Sequence, residues 1–333
     1  MKIAVIGSGG WGTALAVLLH KNGHQVTIWS FSQNEIDYIK THRENALLKG
    51  VTVPEEIDLT TDLSCAAEAE LVVSAVPSFA VRQTAEKLKA YLKPETILVS
   101  VTKGIERDTA KRMSEILAEV TGATVAVLSG PTHAEEVGRG IPTGCVVACP
   151  SREIAEKVQD VFMSPVFRVY ASPDIVGVEL GAALKNIYAL IAGVLDGAGC
   201  GDNTKALMMT RALTESARLG VALGAKRETF AGLSGVGDLI VTCCSMHSRN
   251  HRCGILIGQG KKALEAMDEV GAVVEGYYAA ASAHELAQKT GIEMPIAQAA
   301  YRALYEDLSV DEAITQLMGR SRGHEIEENW LED

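Results

Sequence analysis

Six residues near the N-terminus, Gly7-Ser8-Gly9-Gly10-Trp11-Gly12, constrain this chain more than any other stretch. They fit G-x-G-x-x-G, a string of little weight alone that gains meaning from its neighbours. The β-branched run Lys2–Ile6 precedes it, and an apolar-periodic segment over 13–21 follows and closes at Asn22-Gly23 before a second run, Gln25–Trp29. In that setting the first glycine permits a tight turn, the second lets backbone approach a pyrophosphate, and the third brings helix against strand. The free N–H groups and positive end of the helix then face an anion. The bland alternative, a glycine-rich turn without a ligand, is disfavoured by this placement.

Further β-branched runs at 70–75, 96–101, 124–128, 144–148 and 166–170, with amphipathic segments between most of them, predict crossover units. The expected fold class is α/β: a Rossmann-like, doubly wound, mainly parallel sheet, followed by an all-α C-terminal domain. Long helical patterns dominate after Pro173, over 174–198, 202–223, 273–290, 295–306 and 310–318, and no convincing strand remains. At 333 residues two domains are expected, a dinucleotide-binding domain over 1–175 and a helical substrate domain over 176–333, joined by a helix rather than a floppy linker. The last ten residues read as an acidic tail.

The formal net charge of −11, with no run of basic residues, opposes a nucleic-acid partner or an anionic membrane surface. The longest purely apolar stretch, 187–195, falls short of the roughly 18–20 residues needed to cross a bilayer, so no stable membrane insertion is expected. Glycines at 7, 9, 10 and 12 interrupt any signal-peptide core. Seven cysteines, an odd count without a C-x-x-C pair, predict reduced thiols and a cytoplasmic location.

The second strand runs into Ser30-Phe31-Ser32, and no Asp or Glu stands near its end to bond the adenosine ribose of NAD. Without that carboxylate a 2′-phosphate is not repelled, yet no adjacent Arg or Lys grips it. Use of both NADH and NADPH is therefore expected, within about 30-fold in kcat/KM, the scale of one charge-assisted contact.

Reduction of a carbonyl builds negative charge on oxygen and calls for a proton donor and cations. Lys103 follows the 96–101 run, at the carboxyl end of a strand, where open α/β sheets place their ligand crevice. A surface-loop lysine fits that position equally well. Lys185 lies in a stripe, Gly177, Gly181, Lys185, Ala189 and Gly193, that puts one lysine among small residues on one helical face. Partial burial there lowers a lysine pKa toward a useful acid–base range, while a lysine snorkelling from a packed helix is the alternative. Ser248-Arg249-Asn250 offers a hydroxyl, a guanidinium fork and an amide suited to phosphate oxygens, although polar loops contain such triplets by chance. The Cys and His residues over 244–253 match no common zinc module, and no metal is expected.

Several strings occur together and in order: Gly7-x-Gly9-x-Trp11-Gly12-Thr13, Thr102-Lys103-Gly104, Ser129-Gly130-Pro131-Thr132-His133-Ala134, Leu184-Lys185-Asn186, Gly201-Asp202-Asn203-Thr204-Lys205, Gly235-Val236-Gly237-Asp238-Leu239, Ser248-Arg249-Asn250 and Val273-Val274-Glu275-Gly276. In them the chain resembles bacterial NAD(P)-dependent glycerol-3-phosphate dehydrogenases, over residues 7–276. The resemblance implies reversible reduction of dihydroxyacetone phosphate to sn-glycerol 3-phosphate, the glycerophospholipid backbone, by a cytoplasmic homodimer with a small-molecule substrate and NAD(P)H. By motif position it implies Lys185 as proton donor and acceptor, with Lys103 and Asp238 beside it. It places Lys103, Gly130, Thr132, Lys185, Asp238, Ser248, Arg249 and Asn250 on substrate. Gly10, Trp11, Phe31, Lys103, Ala134, Arg249, Val273 and Glu275 fall on cofactor positions, with Gly7, Gly9 and Gly12 in the loop.

Two departures stand out. Relatives often carry Ser where Gly10 stands, harmless if only the backbone N–H is used, and Arg or His where Phe31 stands. Two rival readings are a β-hydroxyacid dehydrogenase, which also pairs a dinucleotide domain with a lysine-bearing helical one, and a redox-sensing nucleotide-binding regulator. The Ser248-Arg249-Asn250 triplet speaks against the first. The second leaves the lysines and Asp238 without a job, and no DNA-binding element is visible.

Overall fold

The β-branched runs of the first half pair side by side in the computed structural model, which describes residues 1–322, 324 and 325. The strands are β1 Lys2–Ile6, β2 Gln25–Trp29, β3 Glu44–Asn45, β4 Leu48–Thr52, β5 Asp58–Thr60, β6 Leu71–Ser74, β7 Ile97–Ser100, β8 Val125–Ser129, β9 Thr143–Ala148 and β10 Phe167–Ser172. Eight of them form one sheet in the order β10-β9-β8-β7-β6-β1-β2-β5, while β3 and β4 make a separate antiparallel hairpin. Ile3 of β1 pairs with Val26 on one side and Leu71 on the other, so the chain winds outward in both directions from β1. The crevice created by that reversal lies beyond the carboxyl end of β1, where the glycine loop begins.

Helices cover both faces: α1 Gly10–Lys21, α2 Gln33–His42, α3 Val81–Leu88, α4 Met113–Thr121, α5 Ala134–Arg139 and α6 Arg152–Phe162. Strand residues alternate between two cores. Ile3, Val5, Val73 and Val99 pack with Leu15 and Val158, and Ala4, Ile6, Val72 and Leu98 pack with Ala85 and Ile116. Burial on both faces is why β6 and β7 read as short, continuous apolar runs.

The structure corrects the sequence reading in three respects. Strands β3, β4 and β5 were not expected; they are short and carry Glu44, Asn45, Lys49, Gly50 and Asp58, which mask any alternation. The pair β8–β9 runs antiparallel, because the six-residue α5 is too short to carry the chain back across the sheet. Helix α1 starts at Gly10, inside the loop, ahead of its first apolar-periodic residue.

The second half contains α7 Ile175–Gly197, α8 Asp202–Ala222, α9 Arg227–Phe230, a π-helical turn Leu233–Gly237, α10 Asp238–Cys244, α11 Arg249–Gly258, α12 Ala263–Val270, α13 Glu275–Thr290, α14 Pro295–Tyr305 and α15 Val310–Met318. No strand follows β10 among the described residues. The segments from α9 to α12 do not stand out as helices in the sequence, since each spans only 4–10 residues in a stretch punctuated by Gly and Ser. Gly323 and residues 326–333, most of the expected acidic tail, lie outside the described residues.

Helix α7 is the spine of this half. By length and composition it could cross a membrane, but 83% of its most apolar window is buried inside the protein, as befits a core helix. Its stripe of small residues admits other backbones: a Cβ at Gly193 or Gly197 would overlap the carbonyl oxygens of His251 or Ile255 in α11. Gly254 and Gly258 of α11 face Leu190 and Val194 of α7 in the same way. Asp174 caps α7 through the N–H of Gly177 and also accepts from Lys226 N and Thr229 Oγ1. One turn later, buried Glu179 accepts from Ser114 N, Ser114 Oγ and Arg112 Nη1, tying α7 to the start of α4 on the sheet.

Candidate active site

The crevice opens at the carboxyl ends of β1, β6, β7 and β8, and the glycine loop forms one wall. Gly7 has φ +124°, and a Cβ on it would lie 2.7 Å from Ala75 O. A Cβ on Gly12 would overlap the Gly7 carbonyl oxygen, so helix and strand meet as closely as backbone allows. At Gly9 nothing lies within 4 Å. Gly9 is also the N-cap of α1 and provides no side-chain cap, which leaves the first N–H groups of the helix facing open space. These features fit a dinucleotide pyrophosphate. The buried indole N–H of Trp11, in the same loop, has no partner among the described residues.

The β3–β4 hairpin braces this loop, a role the sequence did not reveal. Asn45 Nδ2 donates to Ser8 O at 2.5 Å and to Thr13 Oγ1 at 2.7 Å. Leu47 O lies 2.9 Å from where a Cβ on Gly10 would sit, so Gly10 is constrained by packing as well as serving as a backbone donor.

At the inner end of the crevice the two lysines meet on one carboxylate. Lys103, in the loop after β7, donates to Asp238 Oδ2 at 2.6 Å and to Gly130 O at 3.1 Å. Lys185 Nζ is 2.9 Å from Asp238 Oδ1 and donates to Thr242 Oγ1 at 2.6 Å. Gly181 makes this meeting possible: one turn before Lys185 it lets Ser234 O come to 2.7 Å from its missing Cβ, and the π-helical turn then delivers Asp238 beside Lys185. Asp238 is 1% exposed. Burial pushes its carboxyl up, but Lys103 and Lys185 outweigh that and hold it below the usual range. Burial lowers Lys185 to about 8, helped by Lys103 and opposed by Asp238. The nearby His133 is held below its ordinary value, first by burial and then by Lys185.

Around this centre, Gly130 directly follows β8 and accepts from Lys103 on its carbonyl oxygen, and Thr132 Oγ1 donates to that same oxygen at 3.1 Å. Ala134 opens α5. Ser248, Arg249 and Asn250, for which a chance triplet in a polar loop was the bland alternative, form the N-cap and first turn of α11. The Ser248 hydroxyl caps His251 N, and the exposed Arg249 is the member left free to reach outward. Asn250 is fixed by its amide, which donates to Asn186 Oδ1 at 3.0 Å and accepts from Gly276 N at 2.8 Å. Val273 precedes the N-cap of α13 and Glu275 opens the helix, with its carboxylate accepting from Ser78 Oγ at 2.9 Å and feeling the charge of Arg249. Phe31 stands apart from the lysines, 81% exposed at the end of β2.

The expectation that no carboxylate stands near the end of β2 is overturned. Glu35 of α2 turns back, and its Oε2 accepts from Ser8 Oγ at 2.5 Å and Ser30 Oγ at 2.6 Å. Thr242 and Asn186 were also missed as members of the site. Neither carries a spacing signal, because each acts through tertiary contacts. All seven cysteines are free, and no group of three or more His, Cys, Asp or Glu is gathered like a metal site among the described residues.

Models of two halves of one protein family match the chain: the N-terminus of NAD-dependent glycerol-3-phosphate dehydrogenase over residues 2–155, and its C-terminus over 174–315. The chain belongs to the NAD-dependent glycerol-3-phosphate dehydrogenase family. It is 51% identical over 332 residues to the glycerol-3-phosphate dehydrogenase [NAD(P)+] of Fusobacterium nucleatum, covering 98% of this chain and 99% of that one. Against the Moorella thermoacetica protein of the same name, identity is 54% over 328 residues, covering 98% of each. The crystal structure of glycerol-3-phosphate dehydrogenase from Coxiella burnetii superposes with a TM-score of 0.92 at 36% identity, covering 96% of this chain and 99% of that one. Membership in this dehydrogenase family makes the chain an oxidoreductase that works with NAD(P), and decides against both rival readings.

Proposed function

We propose that the enzyme reversibly reduces dihydroxyacetone phosphate to sn-glycerol 3-phosphate with NAD(P)H, and that Lys185 moves the proton. The observation that carries the assignment is the buried Asp238 carboxylate shared by Lys185 and Lys103 at the inner end of the crevice. When bound, the reduced nicotinamide supplies hydride to the ketone carbon. Lys185, acidic enough at about 8 to release its proton near neutrality, gives it to the ketone oxygen and takes it back in the oxidation direction. Lys103 stabilises the charge growing on that oxygen. Asp238 holds both ammonium groups in place, so neither must reorganise as charge develops.

In this reading Arg249 and the first turn of α11 hold the substrate phosphate, while Asn250 and Asn186 fix their position. Residues 1–175 serve as the dinucleotide domain and 176–333 as the substrate domain. The acidic net charge and seven free thiols support a cytoplasmic enzyme, and the family resemblance supports a homodimer feeding glycerophospholipid synthesis.

Spectrophotometric assay of NADH and NADPH oxidation with dihydroxyacetone phosphate tests the activity. Lys185→Met should cut kcat by roughly 10²–10⁴ with dinucleotide binding near normal, and activity within a few-fold of wild type would sink the assignment. Arg249→Ala should cost about 2–4 kcal/mol in kcat/KM for the phosphorylated ketone and much less for dihydroxyacetone. Equal losses on both substrates would make Arg249 structural.

A further inference from the structure

NAD and NADP differ only at the adenosine 2′ position, and Glu35 stands at the end of the crevice where that position is read. The end of β2 and the glycine loop are the two walls between which a dinucleotide of this fold lays that ribose. One buried serine hydroxyl comes from each wall, Ser8 from the loop and Ser30 from the strand end. Both donate to Oε2 of the same carboxylate, at 2.5 and 2.6 Å, the short range of charge-assisted O–H···O⁻ bonds. The Ser30 hydroxyl also accepts from Ser32 N, which fixes the turn into α2. Oε1 accepts no hydrogen bond among the described residues, and the side chain is exposed.

The arrangement is unusual for its sequence. Ser32-Gln33-Asn34-Glu35 opens α2 with the spacing of a capping box, in which the glutamate returns to its own N-cap N–H. Here Ser32 performs its half, accepting from Glu35 N, while the Glu35 carboxylate reaches across to another element. A negative charge is thus held at the ribose wall by two side chains with no other partner for their hydroxyl protons.

We infer that Glu35 is the specificity-determining residue for the dinucleotide: its free Oε1 accepts from a ribose hydroxyl of NADH and repels the 2′-phosphate of NADPH. The inference rests on the dinucleotide-binding reading above and replaces the expectation that the two cofactors are used within about 30-fold of each other. With Phe31 beside it, no cationic side chain in the Ser30-Phe31-Ser32 turn offsets the repulsion.

Titration calorimetry of the intact enzyme with NADH and with NADPH tests this without turnover. Wild type should bind NADH at least 100-fold more tightly at low ionic strength, and the gap should narrow as salt screens the repulsion. Glu35→Gln keeps the shape and an acceptor oxygen but removes the charge, and should close the gap at least tenfold, mainly by tightening NADPH. Ser30→Ala, which frees the carboxylate on one side, should close it partly. Wild-type affinities within threefold of each other, or a Glu35→Gln ratio equal to wild type, would overturn the inference while leaving the dehydrogenase reading intact. Failure to bind either dinucleotide would overturn both.

Discussion

Lys185 owes its chemistry to its burial among named neighbours rather than to being a lysine. Removal from water and the nearby Lys103 bring it to about 8, and Asp238 keeps it from falling further. A donor must carry its proton, so kcat/KM for ketone reduction should fall as pH rises through about 8, while the oxidation rate rises over the same interval. Asp238→Asn removes the opposing influence, so this limb should move to lower pH. A pH profile unmoved in that variant would assign the limb to another group. The sequence showed Lys185 among small residues and left its role open on spacing alone. It did not show Thr242 or Glu35, whose importance arises only when α10 folds over α7 and α2 folds back over the glycine loop.

Among the elements, what was legible follows from periodicity. The unit β1, loop and α1 and the long helices α7, α8, α13 and α14 carry enough turns or alternations to stand out, and lie close to where the sequence placed them, as does the shorter but regularly patterned α15. The hairpin of β3 and β4 carries no such signal, yet it braces the loop through Asn45. Likewise α11 carries Arg, Asn, His and two glycines in place of a clear apolar stripe, and what positions Arg249 and Asn250 is the glycine contact between α11 and α7. Gly254→Val would drive a branched side chain into Leu190 O. It should destabilise the protein by about 3 kcal/mol in denaturant unfolding and lower activity by displacing Asn250 and Arg249. Unchanged stability would mean that the two helices can separate freely.

Across the whole molecule, the sheet and the helices are joined by few buried charges. Glu179 is one of these links; removing it leaves two Ser114 donors at the seam without their acceptor and Arg112 with Glu115 alone as carboxylate partner. Glu179→Ala should cost about 3–5 kcal/mol, read as a lowered thermal midpoint, and a midpoint within a degree of wild type would contradict the link. Another crossing is Lys103 to Asp238, and it is lopsided. Lys103 belongs to the sheet, whereas Asp238 and Lys185 both ride on the helical side. Two lysines on one carboxylate leave the cluster a surplus positive charge. On a protein of net charge −11, that surplus makes the inner end of the crevice a local positive lure for a phosphate ester.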